Sequence, residues 1–182
     1  IDAGVGIDLH TYSQFHPSEY LSGRYDKVSE TSYFAYGAVG GKIKKYLDWD
    51  ANLKFYPSGY RGGDLSIGGH LALMGALRGH PLILEGRFSM ERRSPNYWQE
   101  NLLSNHYVWS APLGKENETR FEVKLEVPDY AFEAGAWFGF VDNKIYYDAQ
   151  SHIAQSDANV SLTSVYARKD FRLGGLHLDH RP

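Results

Sequence analysis

Long runs of period-two hydrophobicity, a surplus of aromatic residues and glycine, and the spacing of turn signals predict an all-β chain. The expected fold is an antiparallel up-and-down transmembrane β-barrel, or a segment of a larger one. Each observation adds something separate. Alternation gives every strand one apolar and one polar face, because successive strand side chains point opposite ways. Aromatics make up 15% of the chain, with 14 Tyr and 4 Trp, and there are 19 Gly. Tyr and Trp join an apolar body to a polar tip, which suits a surface that is greasy yet close to water. The turn signals leave strand candidates of roughly nine to thirteen residues, near the length that a tilted strand needs to cross a bilayer and longer than ordinary soluble strands.

The alternation can be followed along the chain. Ala3, Val5, Ile7 and Leu9 alternate with Gly4, Gly6, Asp8 and His10. Leu47, Trp49, Ala51, Leu53 and Phe55 alternate with Asp48, Asp50, Asn52 and Lys54. Leu65, Ile67, Gly69, Leu71 and Leu73 follow, with Ser66, Gly68 and His70 between them. The next two runs are the clearest. Leu82, Leu84, Gly86, Phe88 and Met90 oppose Glu85, Arg87, Ser89 and Glu91. Phe121, Val123, Leu125 and Val127 oppose Arg120, Glu122, Lys124 and Glu126. Phe132, Ala134, Ala136, Phe138 and Phe140 share a face of one more strand. Val160, Leu162, Ser164 and Tyr166, set against Ser161, Thr163, Val165 and Ala167, give a fainter one. About nine or ten strands are expected in all, and no helix.

Arg78-Gly79 separates two strong strands with almost no linker and reads as a tight hairpin. Val127-Pro128-Asp129, Asp142-Asn143-Lys144 and Lys169-Asp170 read as further short turns. Longer polar and aromatic connections are expected at Gln14 to Glu30, Ser94 to Leu103 and Asp148 to Asn159. Short turns alternating with long loops is the arrangement of a barrel with one end in the periplasm and one outside.

Composition narrows the function. The 182 residues suggest one domain over 1–182, with no dividing linker. Nineteen Lys and Arg balance 22 Asp and Glu, so no basic surplus argues for nucleic acid. With no cysteine there is no disulfide framework, thiolate metal site or cysteine nucleophile. The chain opens on Ile1 without a leader-like stretch, as a mature or trimmed segment would. Mean hydropathy is −0.47, which fits strands that are half polar by construction.

Chemistry-bearing patterns are sparse. His177, Asp179 and His180 lack a metal-site spacing suited to a strand and read as incidental. Gly62-Gly63 lacks the Lys-Ser/Thr of a phosphate loop and reads as a bend at a strand start. Carboxylate pairs such as Glu85 with Glu91, or Glu122 with Glu126, arise on one face of any charged strand, so no enzyme is expected. Asn117-Glu118-Thr119 and Asn159-Val160-Ser161 match the short glycosylation sequon, which is frequent by chance. The candidate functional surface is the charged one. Glu85, Arg87, Glu91, Arg120, Glu122, Lys124 and Glu126 are expected to line a wet lumen, their mixed signs implying weak ion selectivity. Trp49, Trp98, Tyr107, Trp109, Tyr130 and Tyr146, with Tyr56, Tyr97 and Tyr147, are the candidates for aromatic girdles.

Three stretches resemble a known family. They are Gly59-Tyr60-Arg61-Gly62-Gly63-Asp64-Leu65, the run RRSPNYWQENLLSNHYVW from Arg92 to Trp109, and Phe140 to Asp179 with VDNKIYYD, IAQ and VYARKDFRLGGLHLD. The combination is similar to the putative porin family of Bacteroidetes outer-membrane proteins, over most of Leu47 to Pro182. The resemblance implies an outer-membrane β-barrel acting as a porin, with no catalytic residues and no cofactor. Members of that family look longer, so it also implies an internal portion of a barrel. The expected function is passive diffusion of small polar solutes or ions. The partners are membrane lipid and lipopolysaccharide outside, small polar solutes inside, no nucleic acid, and an optional second copy of the chain. Two rival readings remain. One is a soluble or surface carbohydrate-binding β-sandwich. The other is a structural envelope barrel that conducts nothing.

Overall fold

The computed structural model describes residues 1–15, 25–104, 107–173 and 176–180, with side chains described for 1–14, 25–104 and 107–171. Nine strands form one sheet in the order β1 (Asp2–Phe15), β2 (Tyr25–Ile43), β3 (Leu47–Gly59), β4 (Leu65–Leu77), β5 (His80–Arg93), β8 (Glu116–Val127), β9 (Phe132–Asp142), β12 (Val160–Leu173) and β13 (Leu176–His180). Every neighbouring pair is antiparallel. Two small hairpins stand in the connections: β6 (Asn101–Leu103) with β7 (Val108–Ser110), and β10 (Ile145–Tyr147) with β11 (Ile153–Gln155). Chain order and spatial order coincide, so the sheet is up-and-down. β1 and β13 are its edges, and among the described residues it does not close on itself. An open sheet is what a segment of a barrel presents.

The connections sort onto two ends. The β2–β3, β4–β5, β8–β9 and β12–β13 connections lie at one end. The β1–β2, β3–β4, β5–β8 and β9–β12 connections lie at the other. Arg78 and Gly79 have φ of 52 and 88°, the two left-handed residues that a two-residue hairpin matched to strand twist requires. After Val127 the chain makes one 3-10 turn, Pro128–Tyr130, and leaves it through left-handed Ala131. Gly62-Gly63 is the expected tight bend before a strand, with Gly63 at φ +84°. A bulge lies between Tyr33 and Ala35 on the β2–β3 seam. Just beyond it, Gly59 at φ +96° brings its α-carbon so close to β2 that a Cβ would lie 2.1 Å from the Thr31 carbonyl. No other residue type fits there.

Three expectations need correction. Gln14 to Glu30 is not one loop: β1 runs to Phe15 and β2 resumes at Tyr25. Thr11, Tyr12, Tyr25 and Val28 favour extended backbone even where the apolar pattern lapses, and Thr11 bonds Ser29 across the seam at 3.2 Å. Lys169-Asp170 is not a turn. Both lie inside β12 and pair with His180 and Asp179. The expectation of no helix fails for a single turn, α1 (Tyr97–Glu100). Asn96 and Gln99 form a capping box around it, each side chain bonding the other's backbone N–H at 2.9 Å.

Candidate pore-lining face

Residues that pair in register on neighbouring strands point to the same face. One row runs Asp50, His70, Arg87, Glu122, Trp137 across β3, β4, β5, β8 and β9. The next runs Asp48, Ala72, Glu85, Lys124, Gly135. All seven candidate lining residues fall on this face. Glu85 stands opposite Lys124, Arg87 opposite Glu122, and Glu91 opposite Glu118. Their charges interlock. Lys124 is 3.3 Å from Glu85 and 3.6 Å from Glu126. Arg87 pairs with Glu85 at 3.2 Å and Arg120 with Glu122 at 3.3 Å. The Arg120 guanidinium also lies 4.4 Å from the Trp137 ring centre. His70 Nδ1 is 3.1 Å from Asp50. A recess of about 420 Å³ opens here, with Asn52, Gly68, Ser89 and Arg120 in its lining. That is room for a small polar solute rather than a single water.

The other face is apolar and bare. Val5 is 84% exposed and Val165 77%. Leu53, Phe55, Leu71, Leu84, Phe121, Val123 and Phe138 on the intervening strands are exposed too. No second sheet covers them among the described residues.

The loop end of the charged face is bridged. The 94–115 connection, rooted between β5 and β8, reaches β1 at the far edge. Tyr97 stacks on Tyr12 with ring centres 4.5 Å apart, and the Leu103 N–H donates to Gln14 Oε1 at 3.1 Å. Tyr60 on the β3–β4 loop ties in beneath it, donating to Glu100 at 2.7 Å. Burial, with the Glu100 carboxylate next in weight, pushes the Tyr60 phenol above its ordinary value.

Two buried carboxylates anchor these loops, and sequence reasoning missed both. Asp64, 2% exposed, accepts from Arg61 Nε at 3.0 Å, from Lys115 Nζ at 2.6 Å and from the Ser94 N–H and hydroxyl at 2.8 Å. Arg61 also donates to the Tyr56 hydroxyl, which itself donates to Asp8 on β1 at 2.7 Å. Burial raises the Asp64 carboxyl, but the hydrogen bonds from Lys115, Ser94 and Arg61, with the Lys115 charge, outweigh it and hold the group below its ordinary value. Glu116, 3% exposed, pairs with Arg93 and Lys144 and accepts the Ile145 N–H at 2.9 Å. The available signal was spacing: Arg61 and Asp64 are three apart in a glycine-rich turn, and Lys115-Glu116 opens a charged strand.

The aromatic candidates separate into groups. Trp49 faces outward on β3, opposite Leu71, and Tyr130 sits in the turn after β8. Trp98 belongs to α1, and Tyr107, Trp109 and Tyr146 to the loop hairpins and their approach. There Trp109 fixes its indole by donating to the Gln99 carbonyl at 3.1 Å. Asn117 begins its sequon within β8, and Asn159 lies in a connection. His177, Asp179 and His180 lie outside the described side chains.

A sheet with one bare apolar face, one charged face and loops gathered at one end has the construction of a membrane β-barrel wall. The family model described as putative porin matches residues 1–181, and the chain belongs to that family. The match takes in the first 45 residues, where the sequence resemblance was weaker. Membership makes the role porin-like in general, a matter of transport rather than chemistry, and porins are in general outer-membrane proteins. No curated protein and no solved structure matches this chain.

Proposed function

We propose that the chain forms part of the wall of an outer-membrane channel through which small polar solutes and ions diffuse passively. Its charged face borders the water, and its apolar face meets lipid and the acyl chains of lipopolysaccharide. One observation carries this reading: side chains such as Val5, Val123 and Val165 are exposed while the opposite face holds an ion-pair lattice. A sugar-binding sandwich would press that apolar face against a second sheet. Hydrocarbon is the solvent in which it costs nothing.

Liposome swelling with the full-length protein tests the proposal. Entry of small sugars and amino acids is expected. Intact barrels that give no swelling would favour the structural-barrel reading and end this one. The bridging loop supplies a finer expectation. Tyr97→Ala with Gln14→Ala removes the stacking on Tyr12 and the Gln14 hydrogen bond, leaving the edge contact of Trp98 with Tyr12 and the backbone ladder of β1 in place. Swelling in a small sugar should speed up by roughly two-fold, with larger sugars gaining more, since a restraint at the mouth limits access. Unchanged rates across all sugar sizes would show that the loop does not narrow the path.

A further inference from the structure

The charged face carries more carboxylates than cations, and the surplus stands in register. On β5 and β8 every cation of this face is already engaged: Arg87 by Glu85, Arg120 by Glu122, Lys124 by Glu85 and Glu126. Arg93 serves three carboxylates at once, Glu116 in close contact and Glu91 and Glu118 at 3.6 Å each. On β9, Glu133 adds a further carboxylate, directly opposite Glu126 on one side and Arg168 of β12 on the other. Two like-charged pairs therefore face each other on adjacent strands, Glu91 with Glu118 and Glu126 with Glu133. Directly opposed like charges destabilise a sheet. Their side chains remain wet, at 49% exposure for Glu91 and 40% for Glu118.

A wall of one net sign beside low-dielectric protein focuses its field into the adjoining water and enriches counter-ions there. We propose that Glu91, Glu118, Glu126 and Glu133 are specificity-determining residues that make this wall favour small cations over anions. The inference rests on the channel reading above and sharpens it from weak, mixed selectivity to a definite sign. It also assigns the sign to carboxylates that outnumber the cations beside them: Arg93 is shared three ways, and Lys124 and Arg168 stand among Glu85, Glu126 and Glu133.

The test is the reversal potential of the full-length protein in a planar bilayer under a potassium chloride gradient. The cation-to-anion permeability ratio should exceed one. It should fall by roughly two-fold when the four glutamates become glutamine. Glu91→Gln with Glu118→Gln alone should give part of that fall, and Arg87→Gln should move the ratio the other way. A wild-type ratio at or below one overturns the inference and leaves the channel standing, and this measurement needs no variant to fold. A ratio unmoved by any of these substitutions also overturns it. Absence of channel steps from inserted protein would remove the channel reading and the inference together.

Discussion

Val123→Arg is expected to cost the assembled barrel about 2–4 kcal/mol, whereas Glu122→Gln one residue away should cost less than about 1 kcal/mol. The two side chains are adjacent in sequence and point to opposite faces. Val123 lies mid-strand between Gly86 and Ala136 with its side chain exposed. An arginine there has hydrocarbon around it and no neighbouring carboxylate on its own face, so its charge must be solvated by deforming the bilayer. Glu122 stands in a wet ion-pair lattice beside Arg120, where losing one partly exposed pair changes little. Urea unfolding in lipid vesicles, read by the gel shift of folded barrel, measures both. Equal losses at the two positions would mean that the apolar face does not meet lipid.

Asp64→Ala should be the most damaging change outside the strands, at about 2–3 kcal/mol. Removing one partner of a buried pair costs about 3–5 kcal/mol, because the remaining charge is left uncompensated. The lower figure applies because Arg61 and Lys115 keep partial access to water. Asp64→Asn, which retains the Ser94 contacts, should lose less. Acid should reproduce the effect. The native carboxyl is held below its ordinary value of about 4, so its contribution is complete above that pH. It is lost as pH falls through the lower native value. Melting temperature in detergent should therefore drop below about pH 4 in the wild type, and by less in Asp64→Ala. Identical acid profiles would show that Asp64 does not anchor the loops.

The sheet was legible in the sequence because a strand with lipid on one side and water on the other writes its geometry as a period of two. Glu85 to Glu91 and Arg120 to Glu126 could each be placed on one face of a strand from the alternation alone, whereas their pairing across the seam came only with the register. Where the period weakens, legibility weakens too. In β12, Leu162 turns out to share the charged face, paired with Gly139 beside Arg120, while Val165 points outward. The loop anchors were illegible for another reason. Asp64 and Lys115 are 51 residues apart, and nothing local says that they meet. The four-residue helix was too short to show periodicity, although its capping box was present in Asn96 and Gln99.

The count of strands sets the arithmetic of closure. With nine strands running alternately up and down, the two border strands, β1 and β13, travel in the same direction. A cylinder whose every seam is antiparallel needs an even total, so joining these two borders requires an odd number of additional staves. Joining them directly would make the one seam in the ring where both chains climb together.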